Sequence, residues 1–137
     1  MGNQSCIATG VSGVRYVQLI NYQNNALQVS QIAAYGSLGD KIPTTCTSSS
    51  SASGNQVCGK AIDGTLAVRD AANSFVSASG KANENLLLQF PSGKTVSKIV
   101  LYNTVQGVEN IIRTRLRLLD GNKKVIREVT VSVKDGT

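Results

Sequence analysis

Between Asn85 and Val133 the chain alternates short apolar runs with turn-forming breaks. Four runs rich in Val, Ile and Leu are bounded by Gly, Asn, Asp or Pro, the pattern of strands rather than helices. The clearest period-two stretch is Arg113-Thr114-Arg115-Leu116-Arg117-Leu118. Successive side chains on a strand point to opposite faces, so Leu116 and Leu118 share a dry face and Arg115 and Arg117 a wet one. Asp120-Gly121-Asn122 supplies residues that tolerate left-handed backbone, and Val125 begins a return strand. That combination predicts a hairpin. The return strand sets Val125, Val129, Val131 and Val133 on one face, with Arg127 as the exception.

The earlier half shows the same period with more interruption. Residues 14–22 (VRYVQLINY) read as a strand and Asn24-Asn25 as a turn. Residues 27–35 (LQVSQIAAY) read as a second strand whose phase changes: Leu27 and Val29 fit one face, but the next apolar residue is Ile32. A one-residue bulge near Ser30 and Gln31 restores the register. Residues 36–59 lack a period and hold the low-complexity run 44–53, which predicts a long loop, functional or simply mobile. Ala61-Ile62-Asp63-Gly64-Thr65 is a tight acidic turn, and Phe75-Val76-Ser77 a short strand. No helical period exceeds two turns, and strands so regularly spaced predict an all-β fold, an antiparallel β-sandwich. Residues 1–13 read as an N-terminal arm or first edge strand, ahead of a sandwich domain at 14–137. The expected core is Val17, Leu19, Leu27, Val29, Ile32, Leu86, Leu88, Phe90, Ile99, Leu101, Leu116, Leu118, Val129 and Val131.

Composition narrows the function. A chain of 137 residues suits one domain with a proper core. Hydrophobic residues make up 41% and charged ones 16%, which excludes a disordered chain. No apolar run approaches the ~18–20 residues of a membrane helix. The net charge is +6, and Arg113, Arg115, Arg117, Lys123, Lys124 and Arg127 concentrate it in one hairpin. Arg115, Arg117, Lys123 and Lys124 are therefore candidate partner-binding residues for an acidic protein or an anionic surface. The alternative is an ordinary solvated sheet face. Nucleic acid is disfavoured, because no aromatic residues interleave the arginines as a base-stacking surface needs.

Histidine and tryptophan are absent. Without His, catalytic triads and common zinc sites lose their usual member. Asp63, Asp70, Glu84, Glu109 and Asp120 form no pair with acid–base spacing, so no enzyme is expected. Cys6, Cys46 and Cys58 are too scattered for a Cys-only zinc site. Cys46 and Cys58 flank the Ser-rich loop and either pair, in an oxidising compartment, or stay reduced. No positively charged segment with an apolar core follows Met1, so no secretion signal is expected. Gly2 fits N-myristoylation, except that Cys6 stands where Ser or Thr belongs; a plain initiator is the simpler reading.

The order of these pieces resembles a known family. An early strand leads to LQVSQIAAYG, a Ser-rich loop, AIDGT, Phe75-Val76-Ser77, a strand ending in FPSG, then SKIVLYN and IIRTRLRLLDGNKKVI. Across residues 14–133 this resembles the discoidin domain, also called the coagulation-factor type C domain, a galactose-binding-like jelly-roll sandwich. SKIVLYN and LRLLDGNKKVI are most similar to versions in virion proteins of large DNA viruses.

The resemblance implies binding rather than catalysis. Glycans, lipid head groups or partner proteins are held in loops at one end, here residues 23–26, 37–59 and 104–112. It also implies a structural calcium at the acidic turn, with Asp63 as the charged ligand, Thr65 and Ser74 as further donors, and Asp135 closing the site. Calcium takes six to eight oxygens, so backbone carbonyls must supply the rest. The alternative is that Asp63 only caps its own turn. Among ligand-gripping positions the resemblance points to Asn103, Thr104 and Arg113. Here the chain departs from sugar-binding members: it has no His, and Thr104 follows Asn103 where they carry Arg. The expected function is a non-enzymatic interaction module that builds or decorates a larger assembly, such as a large DNA virus particle, at the virion or its cytoplasmic assembly site. The alternative is a carbohydrate- or lipid-head-group-binding adhesion domain.

Overall fold

The computed structural model describes residues 4–21, 27–54, 56–64, 74–78, 84–104 and 114–131. Among them the strands are β1 (Gln4–Ile20), β2 (Gln28–Val29), β3 (Gln31–Tyr35), β4 (Thr45–Ser48), β5 (Phe75–Val76), β6 (Asn85–Tyr102), β7 (Arg115–Leu119) and β8 (Val125–Thr130). A 3₁₀ helix covers Cys58–Ala61. The larger sheet runs β3-β6-β1-β7-β8, with β4 also on β6; β2 and β5 form a second, two-stranded sheet. All pairings between strands are antiparallel. Both layers close on one core cluster, in which Val29 and Phe75 from the small sheet, with Leu27 just before it, meet Leu19, Leu86, Leu101 and Leu116 from the large one. The fold is an antiparallel β-sandwich, as the alternation predicts.

β1 and β6 run the length of the molecule side by side, from Gln4 opposite Tyr102 to Ile20 opposite Asn85. Strands this long cannot keep one face on a twisted core without correction. The register shifts between Ala8 and Val11 and again between Val11 and Val14. Each shift puts an extra residue in β1 beside a glycine in the left-handed region, Gly10 (φ 57°) or Gly13 (φ 73°). A third shift, between Val14 and Tyr16, puts extra residues in β6 around Pro91 and Gly93. Pro lacks the N–H that a regular ladder requires, and a bulge tolerates that. The shifts reset the phase, so Val11, Val14, Val17 and Leu19 all face the core, as do Leu86, Phe90, Val96 and Ile99.

Two sequence expectations are corrected by these bulges. Residues 4–13 are the first half of β1 rather than a separate arm, and Gln4 to Ala8 pair with β6. The PSG break does not divide two strands but lies inside β6. The phase change at Ser30 does more than bulge one strand. There the chain leaves the small sheet as β2 and enters the large one as β3, and Ser30 N–H donates to the Tyr102 carbonyl at 2.9 Å.

The Ser-rich segment is neither structureless nor loose. It contains β4, paired with residues 86–89 of β6. Cys46 of β4 and Cys58 of the 3₁₀ helix form a disulfide, with Cα atoms 5.8 Å apart. Beyond β4, Ser49 N–H donates to the Asn85 carbonyl and Ala52 N–H to the Val76 carbonyl. The Ser49 and Ser50 hydroxyls accept from the Asn85 and Ala78 N–H groups. The serines substitute for ladder partners that a loop otherwise takes from water.

Of the expected core, Val129 alone is only half-buried; the others are buried. Val125 and Ile126 of the same strand are 45% and 43% exposed. The cause is a bulge: Leu118 opposes Arg127 while Leu119 opposes Val125, leaving Ile126 as the extra residue. Val125 therefore does not continue the Val129–Val131 face. The turn at Asn24-Asn25 and the side chain of Val133 lie outside the described residues. Leu118→Ala or Leu116→Ala is expected to lower the unfolding free energy by roughly 2–5 kcal/mol in urea titrations. Val125→Ala should stay within about 0.5 kcal/mol of the parent, as exposed positions do. Equal effects at Leu118 and Val125 would mean the register is wrong by one residue.

Candidate functional site

The β7–β8 hairpin is built around Asp120. Its Oδ1 accepts from the N–H groups of Asn122 and Lys124 at 2.8 and 2.9 Å. Lys123 N–H donates to the Asp120 carbonyl, and Asp120 N–H to the Lys124 carbonyl. The residue in the left-handed region is Lys123 (φ 63°), not one of the three expected before it. Such a conformation is costly for a long side chain, and the Asp120 carboxylate helps to hold it. The Lys123 ammonium lies 5.3 Å from the centroid of the Tyr16 ring, within cation–π range.

Alternation places Arg115 and Arg117 on the outer face, as expected. Both meet Glu128 across the hairpin: Arg115 Nη1 donates to Oε1 at 2.6 Å and Arg117 Nε to Oε2 at 2.8 Å. Sequence reasoning missed Glu128, although it is the register partner of Arg117. Arg127 turns to the opposite face, beside Leu118, and its Nη1 donates to the Thr9 carbonyl at 2.7 Å. It ties β8 to β1 across β7. From residue 114 to 131, five cations stand against two carboxylates, Asp120 and Glu128, so the hairpin stays cationic. β8 ends the sheet, and among the described residues no strand pairs with its outer edge. That edge carries exposed Val125 and Ile126 beside exposed Lys123 and Lys124.

The acidic turn, where the resemblance implies calcium, is reached by a side chain from β3. That side chain is Gln31, 7% exposed. Its Nε2 donates to Asp63 Oδ1 and, at 2.9 Å, to the Lys60 carbonyl; its Oε1 accepts from Gly64 N–H at 3.0 Å. Gly64 sits at φ 83°, which suits glycine alone without strain. One amide thus holds both sides of the turn. Ser74 is fully buried, while Thr65 and Asp135 lie outside the described residues. Among the described residues no three His, Cys, Asp or Glu side chains gather as a metal would need. Calcium would need oxygens beyond the Asp63 carboxylate, which already accepts from Gln31.

The expected ligand-gripping residues also turn inward. Asn103 and Thr104 are 1% and 0% exposed. Thr104 Oγ1 donates to Gln28 Oε1 at 2.7 Å, and Asn103 Nδ2 donates to the Thr104 carbonyl at 2.5 Å. Thr104 thereby ties the end of β6 to β2, and both residues have partners within the protein. Arg113 lies outside the described residues, as do segments 23–26 and 105–112.

Two outcomes follow. Gln31→Leu removes the donors and acceptor of three contacts, and should destabilise by about 1–3 kcal/mol in thermal or urea unfolding. Melting curves with calcium and with chelator then test the implied ion: a rise in Tm with calcium, lost in Asp63→Ala, would place one at this turn. The second outcome concerns pH. The Glu128 carboxyl is held below its ordinary pKa by hydrogen bonds from Arg115 and then Arg117. A carboxyl depressed in the folded state stabilises it above the unfolded pKa, and that contribution is lost as pH falls through the folded value. Amide shifts of β7 and β8 around Glu128 in an NMR titration should therefore stay constant as pH falls through the ordinary carboxylate range and move only below it. Glu128→Gln should abolish the movement while leaving global stability little changed, because the pair is exposed.

Among the described residues no helix is long and apolar enough to cross a membrane. No curated protein and no solved structure matches the chain. A family model does, over residues 41–135, well over half of the sequence and all of the ground from the loop before β4 through β8. The chain belongs to that family, the domain of unknown function DUF7402.

Proposed function

We propose that this chain is a non-enzymatic interaction module that builds or decorates a larger assembly, such as a large DNA virus particle. The observation that carries the reading is the outer edge of β8. A terminal strand with exposed apolar side chains is a template for another strand, and soluble proteins usually blunt such edges. Lysines are one blunting device, and Lys123 and Lys124 here flank Val125 and Ile126. That combination repels a second copy of the same cationic edge and favours an acidic one. The partner is therefore an extended, acidic segment of another protein, added beside β8 by main-chain hydrogen bonds, with apolar side chains over Val125 and Ile126. Arg115 and Arg117, held by Glu128, keep the outer face rigid behind that edge.

Two further features support the reading. The sequence has no His, which removes the commonest general base. The Cys46–Cys58 disulfide is of a kind that persists in oxidising surroundings; this favours an exposed particle surface over the reducing cytosol as the working location. The Lys123→Glu/Lys124→Glu variant should keep the fold and weaken association with the assembly by roughly tenfold or more at low ionic strength, less at high. A photo-crosslinker at Ile126 on the intact assembly should capture an acidic segment of another protein. A chain that diffuses alone and yields no adduct would contradict the reading.

A further inference from the structure

β4 has little to hold it in the large sheet. Its four residues, Thr45, Cys46, Thr47 and Ser48, are all half-buried or exposed, and it lies along one edge of β6, opposite residues 86–89. Of its side chains only Cys46 packs against the core cluster. The hydrogen bonds of β4 and of the serines after it replace bonds to water, so each adds little net stability. The Cys46–Cys58 disulfide supplies the remaining hold. It closes a loop with a sequence separation of 12 and joins β4 to the 3₁₀ helix, whose Cys58 and Ala61 are buried in that cluster.

The sandwich itself does not depend on that bond. Leu86 and Leu88, which stand opposite Ser48 and Cys46, are fully buried among side chains of both sheets, and β6 is paired from end to end with β1. The acidic turn beyond the helix is gripped by Gln31 from β3. Breaking the disulfide therefore loosens one segment rather than the core. Loss of β4 leaves the main-chain groups of β6 at residues 86–89 without their ladder on that side, an open edge of the kind that accepts another strand.

The bond is also open to exchange. Cys46 is half-buried between exposed Thr45 and Thr47, whereas Cys58 is 6% exposed. The thiolate of a dithiol reductant attacks Cys46 Sγ; the S–S bond breaks and its electron pair leaves on Cys58, which takes up a proton. The reductant's second thiolate then displaces Cys46, which is protonated in turn. Two electrons and two protons pass to the protein, and the dithiol becomes a disulfide. The reduced Cys58 thiol has an acceptor ready, since its Sγ lies 3.3 Å from the Thr47 carbonyl, but a thiol is a weak donor and does not replace the covalent tie. We propose that Cys46–Cys58 is a redox latch: oxidised, it holds β4 along the edge of β6; reduced, it releases β4 and uncovers that edge. The latch is separate from the β8 edge and does not depend on what docks there.

The whole oxidised chain is treated with dithiothreitol in the absence of denaturant, and its thiols are counted by maleimide labelling and mass spectrometry. Two more thiols than before treatment are expected. Hydrogen exchange of the two forms is then compared. After reduction, the amides shared between β4 and residues 86–89 of β6 should exchange roughly tenfold faster or more, while β7 and residues 98–102 of β6 change by less than about twofold. The Cys46→Ser/Cys58→Ser variant, which cannot close the bond, should exchange like the reduced chain in any buffer. A bond that resists dithiothreitol until the chain is denatured overturns the proposal. So does unchanged exchange in β4 after reduction, which would make the bond idle. Faster exchange throughout the large sheet also overturns it, since the bond would then be a staple of the whole fold.

Discussion

Everything in this sandwich hangs on the ladder between β1 and β6. β3 and β4 attach to successive halves of β6, and β7 attaches to the second half of β1. Among the described residues β8 reaches the sheet through β7 and the Arg127 contact to Thr9. A single slip in the central pair would therefore turn every attached strand inside out. The bulges at Gly10 and Gly13, and the extra residues around Pro91, are the positions where register is both broken and reset. They let two long strands follow a curved core while Val11, Val14 and Val17 stay buried. A chain of this length closes two layers with few strands because its longest ones serve the core from end to end.

Three buried polar residues act as internal fastenings. Gln31, Asn103 and Thr104 are all nearly buried, and each has partners from another segment or its own backbone. Physically, burial and ligand-gripping make the same demand on sequence: a short polar residue beside an apolar strand. Only the surroundings tell them apart, because inside a protein an amide must be satisfied by the protein itself. Asp63 is tied in as well: its carboxylate accepts from Gln31, thirty-two residues earlier on β3.

What was legible in the sequence is what depends on local period. The alternation around Leu116 and Leu118 places the hairpin and its dry face, and nearly all the expected core is buried. The phase change at Ser30 marks the passage between sheets. What was hidden depends on pairing. β1 has no clean period before Val14, because each glycine bulge shifts it by one residue. β4, a run of Thr, Cys and Ser, has no apolar face to reveal it and exists because β6 offers an edge. The Glu128 pair with Arg115 and Arg117 requires the register across the hairpin, and the bulge at Ile126 sets that register. The disulfide joins residues whose spacing left pairing open; β4 and the 3₁₀ helix bring them together.

The topology also keeps the edge proposed for docking apart from the opposite end of the sheet. In the order β3-β6-β1-β7-β8 the Tyr35 and Tyr102 side chains lie on the β3–β6 pair, and the proposed edge is β8. Four strand spacings at ~4.8 Å put those outer strands about 19 Å apart across the sheet. They are also offset along it, since β3 joins the C-terminal end of β6, whereas β7 joins β1 opposite the N-terminal end. A strand added beside β8 would therefore leave the β3–β6 face of the sheet uncovered, so the edge and that face are separate surfaces of one module.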